Sequence, residues 1–223
     1  MDEIQEFWAN KDKDINSNSF RCPNVSLFRF ISSLSFAIES KKVLEIGFKN
    51  GDDLLEFNKR GAFIFGLDIN PEAISHLKFE DKSRIRTSRS GKEPIPFDVL
   101  FDLIYSRDTI CYLSDKEIQF FFNDANNKIK LDGYIVVQFI EKDILVKKSN
   151  PEDEINFNLF NDAITEKIWD EYNPMRFLSG KNIIKAAKEA NFKLIASKRL
   201  IESYDIHEEK FRINRYLAFK LNK

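Results

Sequence analysis

The chain has 223 residues, 43% hydrophobic and 32% charged, a length and balance that suit one globular domain with a sizeable core and exclude disorder. Its 35 basic residues are matched by 36 acidic ones, so no net field draws it to nucleic acid or to an anionic membrane surface. Cys22, Cys111, His76 and His207 supply neither a disulfide framework nor a metal cluster, and no metal is expected.

The opening stretch, MDEIQEFWANKDKD, is acidic and polar where a secretory leader is basic and then apolar, and no apolar run reaches the length of a membrane span. A cytoplasmic protein is the expectation. Ile4, Phe7 and Trp8 mark a short helix, and the polar run KDKDINSNS after it has no core-forming pattern. Residues 1–23 are therefore a loose arm or a flap over a site. Pro23 and Asn24 open a helix with Leu27, Phe28, Ile31, Leu34 and Ile38 at helical spacing.

Val43 to Asn70, VLEIGFKNGDDLLEFNKRGAFIFGLDIN, reads as strand, helix, strand. Four of the seven glycines, Gly47, Gly51, Gly61 and Gly66, fall in it, where turns and close backbone approach need them. A nucleotide-cofactor site is expected at its top. Asn70 and Pro71 start a short helix closed by His76 and Leu77. Residues 84–87 form a weak third strand and GKEPIP a loop. Phe101–Tyr105, FDLIY, is a short buried strand ending in Ser106, Arg107 and Asp108.

Ser114 and Glu117 form a capping box, and Ile118, Phe121, Phe122, Ala125 and Ile129 give the helix it opens a buried face. Leu131, Asp132 and Gly133 turn the chain into YIVVQFI, a strand buried on both faces. Residues 141–178 are a polar insertion with a helix near 161–172, a length that marks a functional or mobile segment. Ser179 and Gly180 precede a helix carrying Ile183, Ile184, Ala187 and Ala190. Two strands follow, FKLIASKRL and INRYLAFKL, with no helix between them, so they pair antiparallel.

Alternating strands and helices predict a doubly wound, Rossmann-like α/β sheet with its ligands at the carboxyl ends of the strands. With the two-strand ending and the stretch from Val43 to Asn70, the chain from about Asn24 to its end resembles the class I S-adenosylmethionine (SAM)-dependent methyltransferases of small molecules. Their sheet has seven strands, the last antiparallel, with helices on both faces. The family's E/D-x-G-x-G-x-G turn is matched by Glu45, Gly47, Lys49 and Gly51, with Lys49 in place of the second glycine. Its acidic residue after the second strand falls on Asp68. FDLIYSRDTICYL is similar to the fourth-strand motif, and LDGYIVVQF to the turn into the fifth strand. The loop TSRSGKEP lacks the acidic residue often placed near the adenine amino group, and Ser88 or Ser90 is the expected substitute.

The resemblance implies SAM as cofactor and S-adenosylhomocysteine (SAH) as product. Glu45 would hold the cofactor's ammonium, Asp68 both ribose hydroxyls and Ile69 one face of the adenine, with Gly47, Phe48, Gly51 and Ser106 completing the cofactor set. Asp68 also has a plainer reading as a cap for the helix at Pro71, and Glu45 as a capping group. Asp108 is the candidate general base for a hydroxyl acceptor, its plainer reading an ion-pair partner of Arg107. Arg107 and Tyr112, with Tyr172, Asn173 and Arg176 of the insertion, are the candidate acceptor contacts.

SRDT is not the N/D/S-P-P-Y/F motif of enzymes that methylate exocyclic amines, and no basic domain is appended. The expected acceptor is accordingly a small polar molecule such as a sugar, a nucleotide-linked sugar or a related metabolite. No nucleic acid or membrane is expected, and the protein is taken as a monomer or homodimer. The basic run Lys82, Arg84, Arg86, Arg89 and Lys92 suits a phosphate-bearing acceptor or, more commonly, a solvated edge. A degenerate methyltransferase-like scaffold is the alternative. An NAD(P)-dependent oxidoreductase is disfavoured because the turn does not give G-x-G-x-x-G.

Overall fold

The computed structural model describes residues 22–77, 79–141, 175–176, 178–205 and 210–222, with Ile4, Glu6 and Trp8 of the opening stretch. The helix expected near residues 161–172 lies outside them. The elements are α1 (Val25–Ser33), β1 (Lys42–Ile46), α2 (Asp52–Lys59), β2 (Phe63–Asp68), α3 (Pro71–His76), β3 (Ile85–Thr87), β4 (Phe101–Arg107), α4 (Asp115–Lys128), β5 (Ile129–Ile140), α5 (Gly180–Glu189), β6 (Phe192–Asp205) and β7 (Lys210–Leu221).

Seven strands form one sheet in the order β3-β2-β1-β4-β5-β7-β6. The first five pair parallel, and β7 is antiparallel to both β5 and β6. Because β1 is flanked by β2 on one side and β4 on the other, the strand order reverses there, and the crevice above that point is where an open α/β sheet takes its ligands.

Two apolar layers cover the sheet. Leu44, Ile46, Leu67, Ile104 and Val137 face Phe121, Phe122 and Ala125 of α4 and Ile183 and Ala187 of α5. On the other face Val43, Leu103, Tyr105 and Val136 pack with Leu27, Phe30 and Ile31 of α1 and Leu54 and Phe57 of α2. The alternation along β1 and β4 produces this division, since successive strand side chains point to opposite faces. Each large side chain removed from water in these layers contributes about 1.5–3 kcal/mol before the entropy of ordering is subtracted.

Local chemistry sets the helix starts. Asn24 accepts the Leu27 N–H at 2.9 Å, Asn70 accepts the Glu72 N–H ahead of Pro71, and Ser114 and Glu117 close a reciprocal capping box. Three boundaries differ from the sequence expectation. α1 stops at Ser33 because Ser35 enters the left-handed region, and Ile38 packs against the same core from the segment beyond the helix. Ile129 opens β5 instead of closing the face of α4. Leu131, Asp132 and Gly133 are absorbed within β5 as an irregularity: Phe101 pairs with Ile129 and Leu103 with Tyr134, so the intervening residues leave the ladder. The closing strands also run longer than the apolar runs alone indicated.

Candidate active site

The turn from β1 into α2 is held by backbone hydrogen bonds. The Gly47 N–H donates to the Leu67 carbonyl at 2.7 Å, and the Gly51 N–H to the Phe48 carbonyl at 2.6 Å. Gly47 has φ +79°, and a Cβ there would lie 1.8 Å from Thr109 Oγ1, so only glycine lets the turn sit against the loop after β4. Lys49 has φ +47°, and its N–H donates to Asp68 Oδ2 at 2.8 Å. The Asn70 N–H takes Asp68 Oδ1 at 2.9 Å. One carboxylate thus ties the turn after β1 to the turn after β2.

Above these turns lies a cavity of about 360 Å³. Gly47, Lys49, Asp68 and Ile69 line it on the side of the first two strands. Arg107, Asp108, Thr109 and Tyr112 line it after β4, and Ser88, Arg89 and Ser90 after β3. Ile4 and Trp8 from the opening stretch and Met175 from the end of the insertion complete the wall. Trp8 meets Tyr112 edge-on at 5.4 Å between ring centroids, and the Lys49 ammonium lies 5.4 Å from the Trp8 ring. Asp108 also has a left-handed backbone, φ +53°, a conformation aspartate tolerates better than most residues. Its N–H donates to the Gln138 carbonyl at 3.0 Å, which fixes the bend after β4. Burial, with the neighbouring Cys111 and Asp108, pushes the Tyr112 phenol up, so it stays protonated at neutral pH.

Beneath the turn sits a buried polar cluster. Arg107 Nε donates to Asp53 Oδ2 at 2.7 Å, the Asn24 N–H takes Asp53 Oδ1 at 2.6 Å, and the Asp53 side chain is fully buried. Burial works against the Arg107 charge, yet Asp53, Glu45, Asp108 and Tyr105 together outweigh it and hold the guanidinium protonated. Glu45 lies beside them, below the cavity wall and 1% exposed. Among the described residues, neither Glu45 Oε2 nor the Tyr105 hydroxyl beside it has a partner of good hydrogen-bond geometry, though the two groups lie close enough to interact with each other. Burial, and then the charge of Asp53, raise the Glu45 carboxyl well above the usual carboxylate range.

That shift has a sign that can be measured. Between about pH 4.3, where an unfolded glutamate ionises, and the higher native value, the folded chain holds a proton the unfolded chain has lost, so Glu45 erodes stability as pH rises. Glu45→Gln is expected to match the parent below about pH 4 and to exceed it increasingly above, in urea midpoints taken at pH steps. A difference independent of pH would show that Glu45 is not protonated in the native state.

The structure brings Gly47, Asp68, Ile69, Arg107, Asp108 and Tyr112 to one cavity. Phe48 is buried against Gly66 of β2, Gly51 caps α2, and Ser106 is buried within β4. All three support the turn from below. Arg176 donates to the Leu113 carbonyl and pairs with Asp115 at 2.6 Å, which ties the end of the insertion to the start of α4. Tyr172 and Asn173 lie outside the described residues.

In the basic run, Lys82 donates to the Ile74 and Leu77 carbonyls and Arg84 pairs with Asp81, while Arg89 and Lys92 pair with Glu117. Of these only Arg89 reaches the cavity. Ser88 and Ser90 of the loop after β3 both line the cavity, while Glu93, which is not among the lining residues, accepts the Ser88 hydroxyl at 3.2 Å and the Arg89 N–H at 2.8 Å. Thr109 lies within the fourth-strand motif without being singled out there, and Met175 had no motif to mark it. Among the described residues, no His, Cys, Asp and Glu group is arranged to hold a metal, and no helix is long and apolar enough to cross a membrane.

No curated protein matches the sequence. Among solved structures, magnesium protoporphyrin IX methyltransferase (ChlM) from Synechocystis PCC 6803, crystallised with SAH, is similar at TM-score 0.70 and 9% identity, over 99% of this chain and 98% of that one. A SAM-dependent methyltransferase from Clostridium acetobutylicum ATCC 824 is similar at TM-score 0.61 and 13% identity over the whole of both chains. The glycopeptide N-methyltransferase MtfA, complexed with sinefungin, is similar at TM-score 0.62 and 9% identity, over 94% and 90%. These likenesses establish the fold. The family described as methyltransferase domain matches residues 18–197, most of the chain. The chain therefore belongs to the methyltransferase-domain family, with the seven-stranded fold of the class I SAM-dependent enzymes.

Proposed function

We propose that the protein transfers a methyl group from SAM to a small polar acceptor, such as a sugar, a nucleotide-linked sugar or a related metabolite. The observation that carries this reading is one cavity, at the reversal of strand order, that joins the Gly47 turn and Asp68 to Asp108 and Tyr112. The residues fit the cofactor: Gly47 lets the turn close against Thr109 at the cavity edge, and the Asp68 carboxylate lines the cavity at the end of the second strand.

SAM supplies an electrophilic methyl group on a sulfonium. What the chain adds is alignment and exclusion of water. Asp68 accepts from the ribose hydroxyls, Ile69 covers the adenine, and the turn supported by Glu45 and Phe48 receives the methionine end. Ile4 and Trp8 close the cavity as a flap, and Met175 brings the end of the insertion to the acceptor side. Asp108 takes the proton when the acceptor is a hydroxyl, and Arg107, held by Asp53, keeps that bend in place.

Calorimetry with SAM, SAH, NAD and NADP tests the reading. SAM and SAH are expected to bind and the nicotinamide cofactors not to. Asp108→Ala is expected to leave SAH affinity intact and to lower turnover on acceptors found by product-mass screening, by about a hundredfold or more. Absence of SAM and SAH binding at millimolar concentration would overturn it.

A further inference from the structure

At the amino-terminal ends of the parallel strands, the opposite end of the sheet from the candidate active site, lies a second cavity of about 570 Å³. Asp102 and Arg107, both in β4, line one cavity each and are five residues apart, roughly 16 Å of extended chain. Lys41 precedes β1, Lys130 stands in β5 and Lys220 in β7; all three are half-buried and line the second cavity. They meet because the strand order sets β4 and β5 between β1 and β7. The irregularity in β5 builds the wall between them. Lys130 to Gly133 leave the ladder between the pairs Phe101–Ile129 and Leu103–Tyr134. A Cβ on Gly133 would lie 2.8 Å from Ile129 Cγ1 and 3.0 Å from the Phe101 carbonyl, so glycine lets the displaced segment close on the sheet.

Three ammoniums face this cavity, and its carboxylates do not match them. Asp102 Oδ2 accepts the Lys42 N–H at 2.9 Å and the Lys130 ammonium at 2.8 Å, while Lys41 stands 3.7 Å from Oδ1, beyond hydrogen-bond length. The Lys220 ammonium lies 4.1 Å from the centre of the Tyr134 ring and meets no carboxylate among the described residues. A ring face engages one side of an ammonium, and an ion pair at 3.7 Å fixes none of its N–H groups, so Lys41 and Lys220 keep donors. With Asp102 and Asp132 as the acidic residues of the wall, the cavity carries one positive charge in excess. Like charges gathered from three distant stretches repel one another, and an anion among them relieves that repulsion.

A phosphate group suits these lysines better than a carboxylate, because it presents three acceptor oxygens and up to two negative charges to ammoniums that come from separate directions. The volume is that of a small-molecule site, with Phe36 and Leu131 in the wall for the rest of a ligand. We infer that this cavity binds a phosphate group, free or borne by a small molecule, through Lys41 and Lys220, with Lys130 and Asp102 holding the wall. The inference goes beyond methyl transfer and does not depend on the SAM reading.

Calorimetry on the full chain uses inorganic phosphate, ribose 5-phosphate and ribose. Both phosphates are expected to bind with dissociation constants of about 1 mM or tighter, and ribose not to bind. Ribose 5-phosphate binding tighter than phosphate by about threefold or more identifies a phosphorylated metabolite as the occupant, and equal affinity identifies the free ion. Lys41→Gln combined with Lys220→Gln should weaken both by about tenfold or more, while Lys41→Arg with Lys220→Arg should hold them within about threefold of the parent. Should the paired glutamine variant fail to fold, Lys220→Gln alone carries the test, with a loss of about threefold or more. Lys185→Gln removes a charge from an exposed position of α5 and should leave both affinities unchanged. Parent-like affinity in the glutamine variants would overturn the inference, as would an equal loss in Lys185→Gln. So would a parent that binds neither phosphate at about 10 mM.

Discussion

Asp68→Ala is expected to abolish detectable SAH binding and to lower fold stability by about 2–4 kcal/mol. A residue that merely touched a ribose would give the first effect without the second. Here the carboxylate accepts the Lys49 N–H at 2.8 Å and the Asn70 N–H at 2.9 Å while 8% exposed, so its removal strands two backbone donors in a largely dry place. Binding suffers twice, from the lost contact and from the loosened turn. Asp68→Asn keeps an acceptor for one N–H and turns an amide donor toward the other, and should fall between parent and Asp68→Ala on both counts. Calorimetry and urea unfolding on the same preparations check this. Parent-like SAH affinity in Asp68→Ala would remove Asp68 from the cofactor site.

The second large effect is expected at Arg107. Arg107→Met leaves Asp53 without its charge partner in a site where its side chain has no exposure, next to a glutamate already short of hydrogen-bond partners. Breaking a buried pair on one side costs about 3–5 kcal/mol. For a chain of this size each kcal/mol corresponds to roughly 2–4 °C, so Tm should drop by about 10 °C. Asp53→Asn is expected to be milder, because the amide still accepts the Asn24 N–H at Oδ1 and Arg107, one-third exposed, retains contact with water. Combining the two changes should recover part of the loss, the signature of two residues that act on each other. A variant with parent-like Tm and only a raised acceptor KM would instead make Arg107 chiefly an acceptor contact.

What could be read from the chain was what is local in it. Ser114 and Glu117 are three residues apart and their box formed as written; so did the Asn24 and Asn70 caps. The antiparallel ending followed from two strands without a crossover, and the count of seven strands from the resemblance. The polar cluster under the turn was hidden because its members meet only through tertiary packing: Asp53 and Arg107 are 54 positions apart. Glu45 could be placed at a strand end, but not below the cavity wall, since alternation separates two faces without saying which of them α1 and α2 will cover. Trp8 and Met175 line the cavity from positions distant in sequence from the glycine turn, and spacing along the chain does not say where such residues arrive. Asp68 was legible as a residue at the strand end that lines the cavity, though its bond to the Lys49 N–H was not.

β7 lies between β5 and β6 although it is the last of the seven in chain order. While the polypeptide is being made, β5, buried throughout its second half in the finished fold and apolar there except for Gln138, must wait with one hydrogen-bonding flank empty. That flank is the kind of edge on which neighbouring nascent chains join and precipitate. The β6–β7 hairpin can form quickly by itself, because its pairing is between consecutive strands. Yield in a cell thus depends on how soon this hairpin docks through β7 or how well chaperones shield β5 in the meantime, and substitutions that slow docking will appear as aggregation before they appear as lost activity.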